Sequence, residues 1–216
     1  MALSGRKLRI LKDGVPVVGA RTDGVTFNSE PVDITDKDDN GWRTLLAEAG
    51  VRSLSATVEG VLKDDTLIEV AADGTALLDD YTVALDNIGY FNGDWFLSSV
   101  ELAGEQADAV TFTANIESGS TIAALVNTGL PVLSGTPTEG QTLSVTNGTW
   151  LGSPSIARQW QENDGNGWTN IGTETGATYQ LATAQVGNTI RVVVTATTAY
   201  GEIEVTSNVL GPVAGL

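Results

Sequence analysis

Apolar and polar residues alternate along much of the first 118 positions, and this period of two predicts β-strands. The segment 108–118 is the clearest case, because every second position from 110 to 116 is apolar. Its apolar positions are Val110, Phe112, Ala114 and Ile116. Segments 81–87 and 94–104 also have strand character, and the pair Asn92 and Gly93 is a hairpin signal. The N-terminal half is therefore predicted to be mainly β.

The segment 41–65, GWRTLLAEAGVRSLSATVEGVLKDD, changes its period near Gly50. Before Gly50 the apolar residues fall at i, i+3, i+4 and i+7, which predicts a short helix that ends at the glycine. These residues are Trp42, Leu45, Leu46 and Ala49. From 51 to 62 the period is two, so we expect a strand with an apolar face and a polar face. The polar positions of this strand are Ser53, Ser55, Thr57 and Glu59, and the apolar ones are Leu54, Ala56, Val58 and Leu62.

Two smaller features complete the pattern of the first half. The apolar phase slips by one between Phe27 and Val32, which predicts a β-bulge near 29–31, where Pro31 lacks a ladder donor. The segment TLIEVAA follows the acid pair Asp64 and Asp65 and predicts a second short helix, because acids favour a helix N-terminus.

The strand pattern is lost over residues 119–130, GSTIAALVNTGL, which we interpret as a linker. Beyond Pro131, Thr, Gly, Ser and Val dominate, and seven short strands follow at regular spacing. They are PVLSG, QTLSVTN, IARQWQEN, GWTNIG, ATYQL, TIRVVVTAT and EIEVTSNVL. This number and spacing predict an immunoglobulin-like β-sandwich. The predicted organisation is a domain over 1–118, a linker over 119–130 and a sandwich over 131–216.

Composition removes several classes of chemistry. The chain has 216 residues, 41% of them apolar, so it can bury a substantial core. It contains no cysteine, which excludes disulfides and thiolate metal sites. It contains no histidine either, which excludes Ser–His–Asp and Cys–His catalysis. An enzyme of those classes is therefore ruled out, and we expect neither a catalytic residue nor a cofactor.

The net charge of −16 predicts a surface that repels nucleic-acid phosphates and anionic membranes. The charge is uneven, since residues 1–126 hold 9 basic and 21 acidic side chains and the remainder hold 2 and 6. Arg6, Lys7 and Arg9 lie among the first twelve residues. The sequence has no apolar run long enough to span a bilayer and no signal-peptide pattern at its start. We therefore expect a soluble protein that folds in the cytoplasm where it is made, without membrane insertion.

Several motifs have both a chemical and a structural interpretation. The segment 36–41, DKDDNG, resembles the start of an EF-hand loop, but Ala47 stands at the twelfth position where calcium needs Glu. A solvated loop or a loop that docks on a neighbouring subunit is favoured over a metal site. The acid pairs at 64–65 and 79–80 fit helix N-termini or turns better than a glycosidase dyad.

The aromatic residues of the second half can also be interpreted in two ways. Trp150, Trp160, Trp168 and Tyr179 could form a sugar-stacking surface. Trp160 stands where an immunoglobulin-like sandwich keeps its core Trp, so we assign it to the core. Trp168 follows the GNG turn and is the candidate for a glycan contact.

Ordered strings across residues 1–118 resemble the major tail (tail tube) proteins of long-tailed bacteriophages. They are FNSEPVDIT, GWRTLLAEAGVRSLSATVEGVLKDD and GDWFLSSVELAGEQADAVTFTANIESG, preceded by a basic N-terminal strand. Residues 131–210 are similar to bacterial or phage immunoglobulin-like modules through SGTPTEGQTLSVTNGTW, QWQENDGNGWTNI, ATYQL and VGNTIRVVVTATTAYG. The expected fold is mainly β: a tail-tube β-sandwich or barrel with one or two short flanking helices, followed by the immunoglobulin-like sandwich.

The resemblance implies a subunit that assembles with itself into rings of six, which stack into a tube through which DNA passes at ejection. It implies a place in the virion tail and contacts with other tail proteins such as the tape measure, the terminator and the baseplate. The candidates to face the lumen are Ser53, Ser55, Thr57, Glu59, Thr111, Thr113, Asn115 and Glu117. The candidates for subunit and ring interfaces are Arg6, Lys7, Arg9, Asp36, Lys37, Asp38, Asp39 and Trp42.

The sequence leaves two rival functions open. One is a surface adhesin whose modules bind host-surface glycans, and the other is a hydrolase that uses carboxylates. The missing export signal weighs against the first, and the missing histidine and cofactor motifs weigh against the second.

Overall fold

The protein is mainly β, as predicted, and falls into two compact units. The computed structural model describes residues 8–17, 19–33, 45–61, 66–73, 77–85, 88–104 and 110–216. The first unit comprises Met1–Asp86 with Phe91–Ala123, and the second comprises Asn87–Tyr90 with Ala124–Leu216. The chain thus enters the second unit briefly at residues 87–90 and returns to it at residue 124.

The first unit is built on one sheet with a short helix. Its elements are β1 (Leu8–Lys12), β2 (Val15–Pro16), β3 (Gly19–Asp33), β4 (Leu45–Val61), α1 (Thr66–Ala72), β5 (Leu77–Leu85), β6 (Gly89–Ala103) and β7 (Thr111–Ser118). The sheet order is β2-β1-β5-β6-β7-β4-β3. The pairs β1–β2, β1–β5, β3–β4, β4–β7 and β6–β7 are all antiparallel. Strand β3 therefore lies at one edge of the sheet and β2 at the other.

The alternation read from the sequence separates a buried face from a polar one. On β4 and β7 the buried apolar side chains are those of Leu54, Ala56, Val58, Phe112, Ala114 and Ile116. Trp95 on β6 is also fully buried, and its indole Nε1 donates to the backbone oxygen of Tyr81 at 3.0 Å. Burial of apolar area on this one face provides the main driving force for folding of the unit.

The prediction of a helix before Gly50 is wrong for those of its residues that the structure describes, which begin at Leu45. Strand β4 begins at Leu45, so the residues at 45, 46 and 49 are extended. Leu45 pairs with Asp33 and Ala49 pairs with Pro31 across the β3–β4 ladder. Backbone pairing over this long hairpin overrides a helical stripe of four apolar residues. The fourth member of the stripe, Trp42, lies outside the described residues.

The other local predictions for the first unit had mixed outcomes. The bulge is confirmed, since the β3–β4 register shifts on both sides of Pro31. The helix over TLIEVAA is confirmed as α1. The prediction of a hairpin turn at Asn92 and Gly93 is wrong, because both residues lie inside β6. The Asn92 side chain donates to Asp80 Oδ1 and to Thr82 Oγ1, both at 3.0 Å, and this anchors it to β5 instead of a turn.

The second unit contains two sheets that enclose a common core. Its strands are β8 (Ala123–Gly129), β9 (Leu133–Ser134), β10 (Thr142–Val145), β11 (Thr149–Leu151), β12 (Ser155–Asn163), β13 (Trp168–Asn170), β14 (Thr178–Gln180), β15 (Thr189–Thr198) and β16 (Gly201–Thr206). One sheet has the order β14-β10-β9 and the other β13-β12-β15-β16. Each of the seven segments predicted as strands from Pro131 onward overlaps a strand of the structure.

Residues 119–130 do not form the irregular linker that was expected. Seven of them form β8, which pairs antiparallel with β11, a strand that the sequence pattern did not reveal. Leu125 of β8 is fully buried and forms a small cluster with Ala196 and Ile203. The sequence signal was weak because β8 alternates imperfectly and is only seven residues long.

The ring of Tyr90 belongs to the second unit and packs against that cluster. A Cβ added to Gly201 would lie 2.3 Å from the Tyr90 ring, so only glycine fits beneath it. The main core of the unit is centred on Trp160, which is fully buried and donates from Nε1 to the Gly176 oxygen at 2.9 Å. The assignment of Trp160 to the core is confirmed.

Candidate functional site: a polar sheet face

The eight residues predicted to face a lumen lie together on one side of the first sheet. In the β4–β7 ladder, Ser55 pairs with Glu117, Thr57 with Asn115 and Glu59 with Thr113. Ser53 and Thr111 continue the same alternation at the two ends. Neighbouring residues on the opposite side, such as Val58, are buried, so this side is the one turned away from the core.

The same side extends onto the two flanking strands. On β3, Thr26 and Asn28 pair with Ser55 and Ser53. On β6, Ser99 and Glu101 pair with Asn115 and Thr113, and Phe96 pairs with Glu117. We call this four-strand surface the polar face. Its members are Thr26, Asn28, Ser53, Ser55, Thr57, Glu59, Phe96, Ser99, Glu101, Thr111, Thr113, Asn115 and Glu117.

Side-chain hydrogen bonds cross the polar face from strand to strand. Thr57 Oγ1 donates to Asn115 Oδ1 at 2.6 Å, and Asn115 Nδ2 donates to Ser99 Oγ at 2.9 Å. Asn28 Nδ2 donates to Ser55 Oγ at 3.3 Å. Cross-strand polar pairs of this kind stabilise a sheet and fix its register. The face is thus an ordered layer of hydroxyl and amide groups.

The charged members of the polar face are all acidic. They are Glu59, Glu101 and Glu117, and each side chain is exposed. Phe96 is the apolar exception on this face, and its exposed side chain lies beside Glu117. The other members offer hydroxyls, amides and carboxylates with no cation among them, and such groups attract water and repel polyanions. Sequence reasoning found the contributions of β4 and β7 to this face. It did not include those of β3 and β6. A register shift between Leu97 and Ser99 interrupts the alternation of β6, whereas β3 pairs without a shift from Thr22 to Glu30.

Most of the predicted interface residues lie outside the described part of the chain. These are Arg6, Lys7, Asp36, Lys37, Asp38, Asp39 and Trp42. Arg9 is described and lies on β1, where it pairs with Ala84 between the buried Leu8 and Ile10. This position does not test whether Arg9 takes part in a subunit interface, so that role stays a prediction.

The hairpin formed by β3 and β4 extends beyond the neighbouring strand β7. Strand β7 pairs with residues 55–61 of β4, whereas β3 pairs with β4 as far as Leu45. About ten residues of β4, or ~30 Å of strand, therefore extend beyond β7. The hairpin extension exposes large apolar side chains, namely Val32, Leu45, Leu46 and Val51. The segment 34–44 connects its two strands and carries most of the predicted interface residues.

A cluster of carboxylates surrounds the start of β6. Asp80 has a φ of 57°, a left-handed conformation that is unusual for a residue other than glycine. Its backbone N–H donates to Asp94 Oδ1 at 3.2 Å, and this bond is the main reason why the pKa of Asp94 lies below its usual value. Among the described residues, no group of three or more acidic side chains is arranged to hold a metal ion. The cluster is best explained as support for a strained backbone.

The predicted glycan contact, Trp168, lies at the start of β13 and is partly buried. The guanidinium carbon of Arg191, on β15, lies 4.2 Å from the centroid of the indole. Arg191 Nε donates to Gln161 Oε1 at 2.8 Å, and Gln161 Nε2 donates to Asn170 Oδ1 at 2.9 Å. Sequence reasoning missed these three partners, although all occupy the outward positions of alternating strands.

In the described part of the chain, no helix is both long and apolar enough to cross a bilayer.

Comparisons with known proteins assign the first unit to a family. A family model described as "Phage tail tube protein" matches residues 7–123, which is more than half of the chain. The solved structure titled "Virion of native gene transfer agent (GTA) particle" aligns at 27% identity and a TM-score of 0.48, covering 56% of this chain and 97% of that one. The structure titled "Tail of empty GTA particle computed with helical refinement, C6 symmetry" aligns at 26% identity with the same TM-score and coverage. No curated protein matches the sequence significantly.

Proposed function

Because the chain belongs to the phage tail tube protein family, a family of structural proteins of the virion tail, we propose that it is the ring-forming subunit of a tail tube. In this proposal the subunits form rings, of six as the family resemblance implies, and the rings stack around a lumen that conducts DNA at ejection. The polar face is the observation that carries the proposal, and it lines the lumen.

The chemistry of the polar face suits the passage of DNA. A tube repeats every surface contact many times, so even weak attraction of Lys or Arg to phosphate would hold DNA in place. Apart from Phe96, the face offers hydroxyls, amides and the carboxylates of Glu59, Glu101 and Glu117 instead. Such a wall keeps a layer of water and repels phosphate, so DNA slides through it without binding.

Closure of the sheet by neighbouring subunits fits the position of β3. This strand has 15 residues and lies at the end of the strand order, so its outer edge has no strand partner among the described residues. A long exposed edge promotes pairing with another chain. In a ring, the edge strand of one subunit joins the sheet of the next and the barrel closes without free edges.

The hairpin extension fits a contact with a neighbouring subunit or ring. A two-stranded hairpin is marginally stable in water when nothing packs against it. Leu46 and Val51 on this hairpin are about half exposed in the single chain, and burial in an assembly would stabilise them. The segment 34–44 would carry its acids and Trp42 into the same interface.

The second unit would serve as a decoration on the outside of the tube. Its two sheets enclose a core of their own around Trp160, so it needs no neighbour to bury its apolar residues. A lumen has no room for an extra domain on every subunit, which leaves the outer surface. We propose further that the subunit has no enzymatic activity, assembles in the host cytoplasm and meets the other tail proteins at the tube ends.

The lumen assignment is tested by labelling in assembled tubes. The chain has no cysteine, so Thr57→Cys introduces a single thiol on the polar face. The reagent is a maleimide attached to a polymer of about 5 kDa. We expect it to react with the thiol of this variant in the monomer but not in tubes, because the lumen excludes the bulky reagent.

The matched control is Glu204→Cys, an exposed position on β16 of the second unit, which should react in both states. Negative-stain images of the same samples establish that tubes are present. Equal labelling of Thr57→Cys in monomers and tubes would place the polar face outside the lumen.

A further inference from the structure

The outer side of the sheet β13-β12-β15-β16 carries a connected polar cluster that the tube does not require. We call it the outer platform; its members are Gln161, Trp168, Asn170 and Arg191. Gln161 lies between the other strands, paired with Asn170 on one side and with Arg191 on the other. Arg191 alternates with the buried Ile190 and Val192, so its side chain leaves the sheet on the side away from the core.

The direction of every hydrogen bond in the outer platform is fixed by the arginine. A guanidinium donates and cannot accept, so Gln161 must present its oxygen to Arg191 Nε. The amide nitrogen of Gln161 then points to Asn170 and must meet its oxygen. Asn170 is left with its Nδ2 group turned outward. The chain of hydrogen bonds from Arg191 through Gln161 to Asn170 therefore ends in a donor on both sides. This holds because the arginine fixes which end of each side-chain amide is oxygen and which is nitrogen.

The free groups of the outer platform are all hydrogen-bond donors. The two terminal amino groups of Arg191 and the Nδ2 group of Asn170 have no partner among the described residues. Arg191 is held by Gln161 and by the indole of Trp168, so its terminal amino groups are pre-oriented. A planar pair of donors of this kind matches a carboxylate in a bidentate geometry.

We propose that the outer platform is a binding site for a carboxylate-bearing sugar of a polysaccharide. The carboxylate accepts from the terminal amino groups of Arg191, and a ring or hydroxyl oxygen accepts from Asn170. The apolar C–H surface of the sugar ring packs on the exposed part of the Trp168 indole. An acidic peptide would satisfy the arginine but offers no rigid C–H face to the indole, so the saccharide is the better match.

Charge complementarity supports an anionic ligand in an otherwise acidic molecule. Residues 127–216 contain two basic residues, Arg158 and Arg191. Arg158 Nε is bound to Asn147 Oδ1 at 2.8 Å and pairs in the ladder with the buried Val194. Arg191 is thus the cation of the outward side. A single shallow site binds weakly, and many copies on one particle raise the effective affinity by about 10²–10⁴.

The inference rests on the sheet geometry of the second unit and does not depend on tube formation. Binding is measured by affinity electrophoresis of the full-length protein in native gels that contain polygalacturonate, dextran or polyglutamate. We expect polygalacturonate to retard the protein more than the neutral sugar polymer or the acidic polypeptide. Negative-stain images of the same preparation report on the tube separately.

Variants assign the binding to individual groups. Arg191→Gln should weaken retardation by polygalacturonate about tenfold, as expected for loss of a charged hydrogen bond. Arg191→Lys keeps the charge but loses the planar donor pair, and should also bind more weakly than the wild type. Arg158→Gln removes the same charge elsewhere in the unit and should bind as the wild type does. Thermal melts establish that each variant is folded, and Asn170→Ala provides the test if Arg191→Gln does not fold.

Three results would overturn the proposal. The first is unchanged retardation of Arg191→Gln by polygalacturonate. The second is equal retardation of the wild type by polyglutamate, which would show a general affinity for carboxylates. The third is a loss of polygalacturonate retardation in Arg158→Gln as large as the loss in Arg191→Gln, which would show an effect of net charge alone.

Discussion

At the scale of the residue, a few positions have a geometry that their neighbours make necessary. Asp80 is held in a left-handed conformation by a hydrogen bond from its N–H to Asp94 and by one from Asn92 to its carboxylate. Gly201 leaves room for the ring of Tyr90, and no other residue would fit there. Neither contact follows a local sequence rule, since the partners meet only after the strands have paired.

The support of Asp80 by Asp94 predicts a pH-dependent stability. The folded state lowers the pKa of Asp94 below its usual 3.8, so the ionised carboxylate stabilises the fold above that pH and loses this effect as the pH falls through the lowered value. We therefore expect Asp94→Asn to melt at a lower temperature than the wild type at pH 7. The difference in melting temperature between the two proteins should become smaller as the pH is lowered to about 3. A difference that stays constant over this pH range would contradict this role of Asp94.

At the scale of the element, periodicity predicted strands well and failed where a ladder overrode it. The alternation on β4 and β7 correctly identified which residues are buried, and the phase slip correctly identified the bulge at Pro31. The residues before Gly50 have a helical stripe, but their pairing with β3 makes them a strand. The relay from Arg191 to Asn170 could not be predicted, because its strand β13 is only three residues long and its register is set by tertiary pairing.

The exposed hairpin extension predicts an effect on assembly without an effect on the monomer. Leu46 is about half exposed, so Leu46→Ser should change the free energy of unfolding of the single chain by no more than ~0.5 kcal/mol. The same change should reduce the yield of tubes in negative-stain images, since the leucine would be buried between subunits. Leu151→Ser, at a similarly exposed position of the second unit, is the control and should assemble normally. Normal assembly of Leu46→Ser would exclude the hairpin from the interface.

At the scale of the whole molecule, the chain combines a unit of the tail tube family with a second unit that has a core of its own. The sequence predicted both parts but placed a linker over residues 119–130, where the structure has β8. The difference arises because β8 is stabilised by pairing with β11 and by the packing of Ala196 and Ile203 on its Leu125, and these partners lie outside its own sequence.

This division predicts how truncated chains behave. A chain of residues 1–123 contains the first unit and should still form tubes. A chain of residues 1–130 retains β8 without β11 and leaves Leu125 without the cover of Ala196 and Ile203, so it should aggregate more readily. Light scattering compares the two, and electron microscopy reports on tubes. If the chain of residues 1–123 were folded but formed no tubes, the second unit would be part of the assembly itself.

The contact between Tyr90 and Gly201 has a consequence for synthesis on the ribosome. At about 5–20 residues per second, translation from one residue to the other takes on the order of 10 s. Before that interval ends, all of β1 to β7 have been synthesised, whereas the cluster around Tyr90 and Leu125 still lacks its last strand. A nascent chain can therefore pair its long edge strand before its own sandwich is complete. Crowded polysomes, on which several such chains grow side by side, are the setting in which premature association competes most strongly with correct folding.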